Sequence, residues 1–388
     1  MIWDYDTKML NFPYISRQME NVLSPPNSSG RAEIILGPRQ VGKTTLLNKL
    51  VEGKRHLILT GEDDDDLALL ADSKSYLKLL DQFPYIVIDE AQFVPGIGRI
   101  VKRMVDSSHA DNRLFVTGSS SLELAGGMKE SAAGRFNTYN LWPFSLAELA
   151  EHTSWIEVKR SIHDRMIFGC LPAVVNEPRR AQQYLLDFAD AVLYKDLFKL
   201  AEMRKPTELV KLVKYLAFNV GSEVKYGTVA SELGIQNKTI ERYINLLESC
   251  FIVKVVPSLS RNPQSEIKLG KKIYFYDNGI RNAIIRDFSP LPARTDVGAL
   301  WENLFFTERL KHHAFRCDGA EIFFWRTRQQ HEVDFLEVHN GKVRAFECKS
   351  SNKSKTTSIR AFERAYPDTP VTIVTPENID VIEEESLS

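Results

Sequence analysis

Short apolar runs separated by helical stretches dominate the first third of the chain. Five runs have the length and residue types of buried strands, and the segments 44–51 and 98–107 between them have helical spacing. Strands that alternate with helices predict βαβ units and a parallel sheet. The predicted strands are 32–36, 56–60, 85–89, 113–117 and 136–142.

The pattern changes after Pro143, where helical periodicity replaces this alternation. Helices are predicted from 145 to about 200, and the Lys205-Pro206 step marks a boundary because a residue before proline disfavours the helical conformation. Residues 207–257 predict a small helical module followed by a short strand pair. The remaining predicted elements are a helix at 298–311, strands at 321–326, 331–338 and 342–349, a helix at 358–366 and a strand at 370–374.

The composition is ordinary for a globular protein of two or three domains. Hydrophobic residues make up 43% and charged residues 26% of the 388 positions, which argues against disorder, collagen and coiled coil. No apolar run reaches the roughly 18 residues that span a bilayer, and the charged residues that follow Met1 argue against a signal peptide. Four dispersed cysteines without a C-x-x-C pair favour a reducing compartment over a disulfide framework. We therefore expect a cytoplasmic protein without a membrane partner.

Charge is balanced overall but uneven along the chain. The formal net charge is −1, so the whole chain lacks the basic character typical of nucleic-acid binding. Residues 204–286, however, contain 14 Lys/Arg and 7 Asp/Glu, a local net charge of +7. The opposite extreme, EDDDD at 62–66, predicts a solvated surface.

The segment from Gly37 to Thr44 matches the phosphate-binding pattern G-x-x-x-x-G-K-[ST] and lies between a predicted strand and a predicted helix. Glycines let the backbone wrap closely around phosphate oxygens, and the helix amino terminus adds partial positive charge. Lys43 is expected to reach the β- and γ-phosphates and Thr44 to ligate Mg²⁺. The expected nucleotide contacts are Gly37, Pro38, Arg39, Gln40, Val41, Gly42, Lys43, Thr44 and Thr45.

The strand at 85–89 ends in two acidic residues that suit the same chemistry. Asp89 would lie at the carboxyl edge of the sheet, where it can hold Mg²⁺. Glu90 would orient or polarise the attacking water, and Gln92 follows closely enough to face the same site. The sequence thus predicts a site for ATP and Mg²⁺.

These motifs resemble the AAA+ ATPase family of bacterial and archaeal proteins with a C-terminal DUF4143 domain. The resemblance extends over nearly the whole chain and implies ATP binding and hydrolysis. It is carried by GPRQVGKTT (37–45), VIDEAQ (87–92), TGSSS (117–121), the AGR segment ending at Arg135, WPFSLAEL (142–149), GCLP (169–172), YKDL (194–197) and YFYDNGIRN (274–282).

Two further ATPase roles follow from the AAA+ resemblance. Thr117 or Ser119, after the strand at 113–117, would sense the γ-phosphate. Arg135 would act as an arginine finger across a subunit interface, since a guanidinium neutralises charge on the transferred phosphoryl group. A polar turn and a surface ion pair are the respective structural alternatives. The finger role implies a homo-oligomer, which nucleotide may control.

Residues 227–248 have the spacing of a helix-turn-helix, with Gly234 at the turn. Polar and basic residues would lie at the exposed start of the second helix, and a β-wing would begin at 251–256, with Arg261 near its tip. This predicts a winged helix that binds DNA, although such modules also mediate protein contacts. The exposed residues are Gln236, Asn237, Lys238, Thr239 and Arg242.

The C-terminal strands carry a second chemical signal. Asp334 lies on one strand of a predicted hairpin, and Glu347 and Lys349 lie two positions apart on the other. This D…E-x-K arrangement resembles the PD-(D/E)xK nuclease superfamily, in which two carboxylates bind Mg²⁺ and the lysine orients the attacking water. Glu302, on the preceding helix, matches an additional acidic ligand of that superfamily. Charges that merely decorate a hairpin, or a nuclease fold without activity, are the alternatives.

The predicted fold class is α/β, with four segments of different architecture. We expect an ATPase that couples nucleotide state to DNA binding or processing through a nuclease-like domain. The alternative is an ATP-switched DNA-binding or scaffold protein with an inactive nuclease fold. The expected segments are an AAA+ P-loop core with a parallel sheet (1–143), a helical lid (144–203), a winged-helix module (204–286) and a restriction-endonuclease-like domain (287–388).

Overall fold

The computed structural model describes most of the chain. Structural statements below concern residues 14–25, 30–109, 111–118, 134–191, 206–259, 270–350 and 357–383. Within these ranges, no helix combines the length and apolar character that crossing a membrane needs.

A five-stranded parallel sheet forms the first layer of the fold, with strand order β2-β3-β4-β1-β5. Apolar residues fill its central strands, and helices cover both faces. The strands are β1 (Ala32–Leu36), β2 (His56–Thr60), β3 (Tyr85–Asp89), β4 (Arg113–Gly118) and β5 (Phe136–Asn140). The helices are α1 (Gln18–Leu23), α2 (Lys43–Val51), α3 (Asp64–Ala71), α4 (Ser73–Gln82) and α5 (Ile97–Ser107).

The register of this sheet places the segments that follow β1, β3 and β4 together at the carboxyl ends of the strands. Leu36 pairs with Gly118, and Thr60 pairs with Asp89. Because the strands are parallel, β1, β3 and β4 end side by side. The P-loop that follows Leu36 therefore lies beside the acidic end of β3.

Helices and a small antiparallel sheet form the middle of the chain. The sheet has the order β6-β8-β7, and its strands are β6 (Glu223–Val224), β7 (Val253–Pro257) and β8 (Lys271–Phe275). The helices before it are α6 (Leu146–His152), α7 (Trp155–Arg160), α8 (Ile162–Phe168), α9 (Pro172–Asn176) and α10 (Ala181–Ala191). α11 (Pro206–Phe218) also precedes the sheet, α12 (Tyr226–Leu233) and α13 (Asn237–Ser249) lie between its strands, and α14 (Asn278–Ile285) follows it.

The last part of the chain is a long helix followed by a four-stranded sheet of order β12-β11-β10-β9. The pairing of β10 with β9 shifts between Val333 and Leu336, so Asp334 lies in an irregular stretch. Such bulges re-aim side chains. The helices are α15 (Val297–Arg316) and α16 (Thr357–Ala365), and the strands are β9 (Glu321–Arg326), β10 (Glu332–His339), β11 (Lys342–Cys348) and β12 (Val371–Val374).

One buried apolar cluster runs through all of these parts. It includes Leu46 on α2, Phe275 on β8, Phe305 on α15 and Phe346 on β11. Burial of a side chain of this size stabilises a fold by about 1.5–3 kcal/mol. The middle and C-terminal elements are therefore packed against the ATPase layer.

Most predicted elements lie within a few residues of those observed. The strand predicted at 136–142 ends earlier, at Asn140, and the helix predicted at 298–311 continues to Arg316. Residues 62–65 of the acidic run are exposed as predicted, but the run also has a local role. Asp63 caps α3 by accepting from the amides of Asp65 and Asp66. The predicted wing tip at Arg261 and the YKDL signature at 194–197 lie outside the described residues.

Candidate nucleotide site and C-terminal acidic cluster

The P-loop leaves β1 through two positions that require glycine. A Cβ at Gly37 would lie 2.1 Å from the carbonyl oxygen of Leu141. Gly42 caps α2 with φ of 91°, a conformation that L side chains rarely adopt. The backbone can therefore turn tightly onto the amino end of α2, where anions bind.

Lys43 lies within this loop. Its Nζ donates to the carbonyl oxygens of Gly37, at 3.1 Å, and Pro38, at 2.8 Å. Burial lowers the pKa of Lys43 to about 8, although the nearby Glu90 and Asp89 oppose that shift. The predicted phosphate-binding lysine is thus inside the loop, near Asp89 at the end of β3 and Glu90 directly after it.

Thr44 and Asp89 form the expected metal-binding pair. The Thr44 hydroxyl donates to Asp89 Oδ2 at 2.7 Å. A hydroxyl and a carboxylate are oxygen ligands that suit Mg²⁺, which also keeps several waters and binds phosphate oxygens. These residues fit Mg²⁺, and with it they would neutralise charge on the phosphates of ATP.

Thr117 lies near the end of β4, as the sequence predicts, and its hydroxyl contacts Asp89 at the end of β3 and Glu90 directly after it. Its side chain is fully buried, its hydroxyl donates to Asp89 Oδ1, and the Glu90 amide donates to it at 3.1 Å. The hydroxyl therefore orients the acidic residues, and direct γ-phosphate contact would require it to leave both partners. The alternative candidate, Ser119, lies outside the described residues.

Glu90 adopts a backbone conformation that is uncommon for a side-chain-bearing residue. Its φ is 46° and its ψ is 43°, in the left-handed region. Gln92 donates through Nε2 to Glu90 Oε2, so the two side chains contact one another. Strained conformations often mark functional positions. The geometry is consistent with a carboxylate held in place to orient a water molecule.

Arg135 lies at the other end of the sheet. Its carbonyl accepts from the amide of Ala32, at the start of β1, whereas the P-loop follows the end of that strand. Its Nε contacts Asp106 at 2.6 Å in a partly exposed ion pair. Arg135 cannot reach the nucleotide site of its own chain, so an arginine-finger role in trans stays a prediction.

Arg17 is a residue of this region that sequence reasoning missed. Its guanidinium donates to the P-loop carbonyl of Val41 at 2.9 Å, to the carbonyl of Trp142 at 2.6 Å and to Glu148 at 3.0 Å. All of these contacts are buried. No local motif marks Arg17, because its partners are 24 to 131 positions away in sequence.

Asp334 and Glu347 come together as the hairpin reading predicted. The β10–β11 register pairs Phe335 with Phe346, and its continuation places Asp334 opposite Glu347. The Cys348 amide donates to Asp334 at 2.8 Å, and Lys349 Nζ contacts Glu347 at 2.5 Å. Burial raises the pKa of both carboxyls, and for Asp334 the neighbouring Glu302 and Glu347 raise it further.

A lysine that the sequence did not single out enters this cluster. Lys272 of β8 is 1% exposed. Its Nζ lies 2.9 Å from Glu302, 2.7 Å from Glu332 and 3.7 Å from Asp334. Glu302 also accepts from the Tyr274 hydroxyl at 2.6 Å.

At the metal site predicted for the C-terminal domain, the carboxylates are therefore paired with the ammonium groups of Lys272 and Lys349. Among the described residues, no group of three or more His, Cys, Asp or Glu side chains has an arrangement that could hold a metal ion. The carboxylates of Glu302 and Asp334 surround Lys272, and Glu347 binds Lys349. In this arrangement, Glu302, Asp334 and Glu347, the Mg²⁺ ligands predicted for the C-terminal domain, do not fit the metal.

Comparison with known proteins assigns three consecutive segments. An AAA domain family, AAA_14, matches residues 29–150. Two domains of unknown function follow: DUF8612 at 159–291 and DUF4143 at 297–385. The chain thus contains an AAA domain and, at its C-terminal end, a DUF4143 domain.

Curated relatives match most of this chain at low identity. An uncharacterised protein of Mycobacterium tuberculosis is 28% identical over 85% of this chain and 74% of its own. One of Haemophilus influenzae is 24% identical over 79% of this chain and 82% of its own. A Walker-type ATPase of Pyrococcus abyssi is similar in structure, with 13% identity and a TM-score of 0.47, over 70% of this chain and 96% of that one.

The family signatures in the DUF8612 segment are structural. A Cβ at Gly169 would lie 1.9 Å from Asp277 Oδ1, and the amide of Cys170 donates to Asp277 at 2.7 Å. Asp277 also caps α14 through the amides of Gly279 and Ile280. The contacts of Asp277 therefore join the GCLP segment to the start of α14, which belongs to YFYDNGIRN. Burial raises the pKa of Asp277.

Proposed function

We propose that this protein hydrolyses ATP and transmits its nucleotide state from the P-loop to the DUF4143 domain through α15. The AAA domain supplies nucleotide binding. The observation that carries the proposal is a succession of buried polar contacts between the P-loop and the C-terminal sheet. Such a succession provides a physical connection, and a two-state response of α15 would show that it is used.

The first step joins the P-loop to α6. Arg17 binds the carbonyl of Val41 in the loop and the carboxylate of Glu148 on α6. Glu148 also accepts from the Ser145 amide at 2.8 Å and completes a capping box there. A change in the P-loop backbone would therefore act on the start of α6.

The second step joins the start of α6 to α15. Glu308 accepts from the amide of Leu146 at 2.7 Å, and Lys311 donates to the carbonyl of Phe144 at 2.9 Å. Lys311 also contacts Glu308 at 2.6 Å. All four residues are buried, so movement of α6 without α15 would leave polar groups unpaired, at about 1–3 kcal/mol each.

The third step joins α15 to the C-terminal sheet. Arg309 binds Glu337 of β10 through two nitrogens, at 2.5 and 2.8 Å. Two turns earlier on the same helix, Glu302 contacts Lys272. One rigid helix thus contacts the ATPase side and the acidic cluster.

Hydrogen exchange tests this coupling directly. In the Glu90→Gln protein, which is expected to bind ATP without consuming it, ATP should change the amide protection of residues 297–316. The reason is that nucleotide reorders the P-loop and hence the contacts of Arg17. Exchange is followed by mass spectrometry with and without ATP.

The matched control for that experiment is Lys43→Ala, which lacks the phosphate-binding cation. It should show no ATP-dependent change anywhere in the chain. A protection change confined to the P-loop of Glu90→Gln, with none in residues 297–316, would contradict the coupling.

We further infer that the DUF8612 segment binds DNA as a winged helix. From α11 to β8 the described elements run helix, strand, two helices and two strands, the order of that fold. Gln236, Asn237, Lys238 and Arg242 are exposed at the start of α13. Exposed amides and basic groups at a helix amino end suit contacts with bases and phosphates.

Lys238→Ala combined with Arg242→Ala should weaken DNA binding for every sequence, because each side chain would contact a phosphate. The dependence of binding on salt should flatten by about 0.9 per lost contact. Fluorescence anisotropy with labelled duplexes at several salt concentrations measures both effects.

The matched control removes two exposed basic residues elsewhere, Arg160 and Arg179, with the same change in net charge. It should bind DNA like the unaltered chain. If both double variants lose the same DNA affinity, the effect comes from net charge and not from the winged helix. If the unaltered chain binds no DNA, the module would instead recognise a protein.

The C-terminal cluster favours the regulatory alternative over an active nuclease in this arrangement, since Lys272 lies among the carboxylates that a metal would need. DNA cleavage stays a hypothesis. A homo-oligomer with Arg135 acting in trans and a cytoplasmic location likewise stay predictions from the sequence.

A further inference from the structure

Lys272 connects two segments of the chain at a single buried point. It belongs to β8, in the part that matches DUF8612, whereas Glu302, Glu332 and Asp334 belong to the part that matches DUF4143. In β8 it pairs with Glu223 of β6 and Val256 of β7, so the strand is held in the middle of its sheet. The side chain extends from this sheet into the neighbouring domain.

The acidic side of the cluster requires positive charge. Four carboxylates converge there, those of Glu302, Glu332, Asp334 and Glu347, and Asp334 and Glu347 influence one another electrostatically. Glu347 Oε2 is buried without a hydrogen-bond partner, and the Glu347 residue is only 6% exposed. An unpaired buried carboxylate oxygen is costly, so this cluster would attract a cation.

Lys272 supplies that charge. Although burial opposes it, the carboxylates of Glu302, Asp334 and Glu332 hold the pKa of Lys272 above its ordinary value. Its ammonium contacts carboxylates of both α15 and β10. A divalent ion bound by Glu302 and Asp334 would have to occupy the position of the Lys272 ammonium, because its ligands must approach within about 2.0–2.6 Å.

A cavity borders the cluster at Glu332. It has a volume of about 500 Å³ and is lined by Gly221, Glu223, Arg326 and Glu332, among others. A Cβ at Gly221 would lie 3.2 Å from Glu302 Oε1, so the cavity wall meets the acidic cluster. Small ions in this cavity would therefore lie next to the cluster.

We propose that Lys272 is a built-in counter-ion that takes the place of a divalent cation and so keeps the C-terminal acidic cluster free of metal while the two segments stay packed. Removing its ammonium should convert the cluster into a site for one divalent ion. The ligands would be Glu302, Asp334 and Glu347.

The test measures Mn²⁺ binding to the full chain by the loss of the free-ion paramagnetic resonance signal. Every protein carries Lys43→Ala and is kept free of nucleotide, so the ATPase site does not contribute and the result is independent of the proposed coupling. At about millimolar Mn²⁺, Lys272→Met should bind one ion per chain that the parent does not bind. Adding Asp334→Asn should remove it.

Lys271→Met is the matched control. Lys271 precedes Lys272 on β8, and its Nζ lies 5.1 Å from the centre of the Tyr226 ring, outside the cluster. The control should gain no ion. An Asp334-dependent ion in the parent, or a folded Lys272→Met that gains none, would overturn the proposal.

A second variant keeps the test informative if Lys272→Met does not fold. Lys272→Met with Glu332→Gln removes one charge of each sign and keeps Glu302, Asp334 and Glu347. If the variants fold only when Mn²⁺ is added, as seen by circular dichroism, the metal replaces the ammonium as proposed. If both remain unfolded at every Mn²⁺ concentration, the ion cannot take the position of Lys272 and the proposal is wrong.

Discussion

Glu90→Gln should retain ATP binding and lose turnover by about 10²–10³-fold, equivalent to roughly 3–4 kcal/mol of transition-state stabilisation. The carboxylate lies directly after Asp89, whose side chain contacts Thr44. An amide of the same shape preserves packing but cannot polarise a water molecule equally. Phosphate release measures turnover, and fluorescent-nucleotide titration measures binding.

Two variants define what the Glu90 result means. Lys43→Ala should abolish both binding and turnover, because it removes the ammonium that lies within the P-loop. Gln92→Glu replaces the amide that donates to Glu90 with a carboxylate that cannot donate at neutral pH, so it tests whether this contact matters for turnover. If Glu90→Gln hydrolyses ATP at the original rate, another group activates the water and Glu90 only shapes the turn.

The nucleotide site could be predicted closely because its information is local. A strand, a glycine-rich loop and a helix follow one another within about 20 residues, and the loop motif itself states which chemistry is present. The same holds for the β10–β11 hairpin, where two short strands fix the pairing of Asp334 and Glu347. Local motifs thus specified which carboxylates would converge.

The parts that were not predicted depend on distant segments. Lys272 lies 30 residues before Glu302 in sequence, and their contact depends on how two domains pack. Thr117 was placed on the correct strand, but only the neighbouring strand shows that its hydroxyl is bound to Asp89. The motif around Arg135 predicts an arginine finger. The pairing of Arg135 with the start of β1, which places it at the opposite end of the strands from the P-loop, depends on the fold of the sheet.

The signature YFYDNGIRN can be identified in the sequence, but its structural role cannot. Its Asp277 caps a helix, and its Asn278 donates to the carbonyls of Met166 and Leu300. These contacts join the middle of the chain to α15. The sequence gives no sign of the Asn278 contacts, because both acceptors are backbone carbonyls and carry no residue preference.

Glu337 forms the most deeply buried ion pair between α15 and the C-terminal sheet. It is 1% exposed, as is its partner Arg309, and His313 Nε2 lies 3.1 Å from its carboxylate. Burial alone would raise the pKa of Glu337, but the His313 contact and the Arg309 guanidinium lower it to about 2. The folded state therefore strongly prefers the ionised carboxylate.

Glu337→Gln should lower the free energy of unfolding by about 3–5 kcal/mol at neutral pH, because it leaves the buried Arg309 charge uncompensated. Urea titration followed by circular dichroism measures the loss. Glu321→Gln is the matched control: Glu321 is exposed on the adjacent β9 and pairs with Val338. It should change stability by no more than about 0.5 kcal/mol.

The same pair gives a pH dependence of known sign. Since the pKa of Glu337 falls from an ordinary 4.5 to about 2 on folding, its contribution is complete above about pH 4.5 and disappears as the pH falls towards 2. The shift corresponds to roughly 3 kcal/mol. The stability difference between the unaltered chain and Glu337→Gln should therefore shrink between pH 5 and pH 2.5, to about the residual cost of the substitution. A difference that stays constant over this interval would mean that Glu337 is not preferentially ionised in the folded protein.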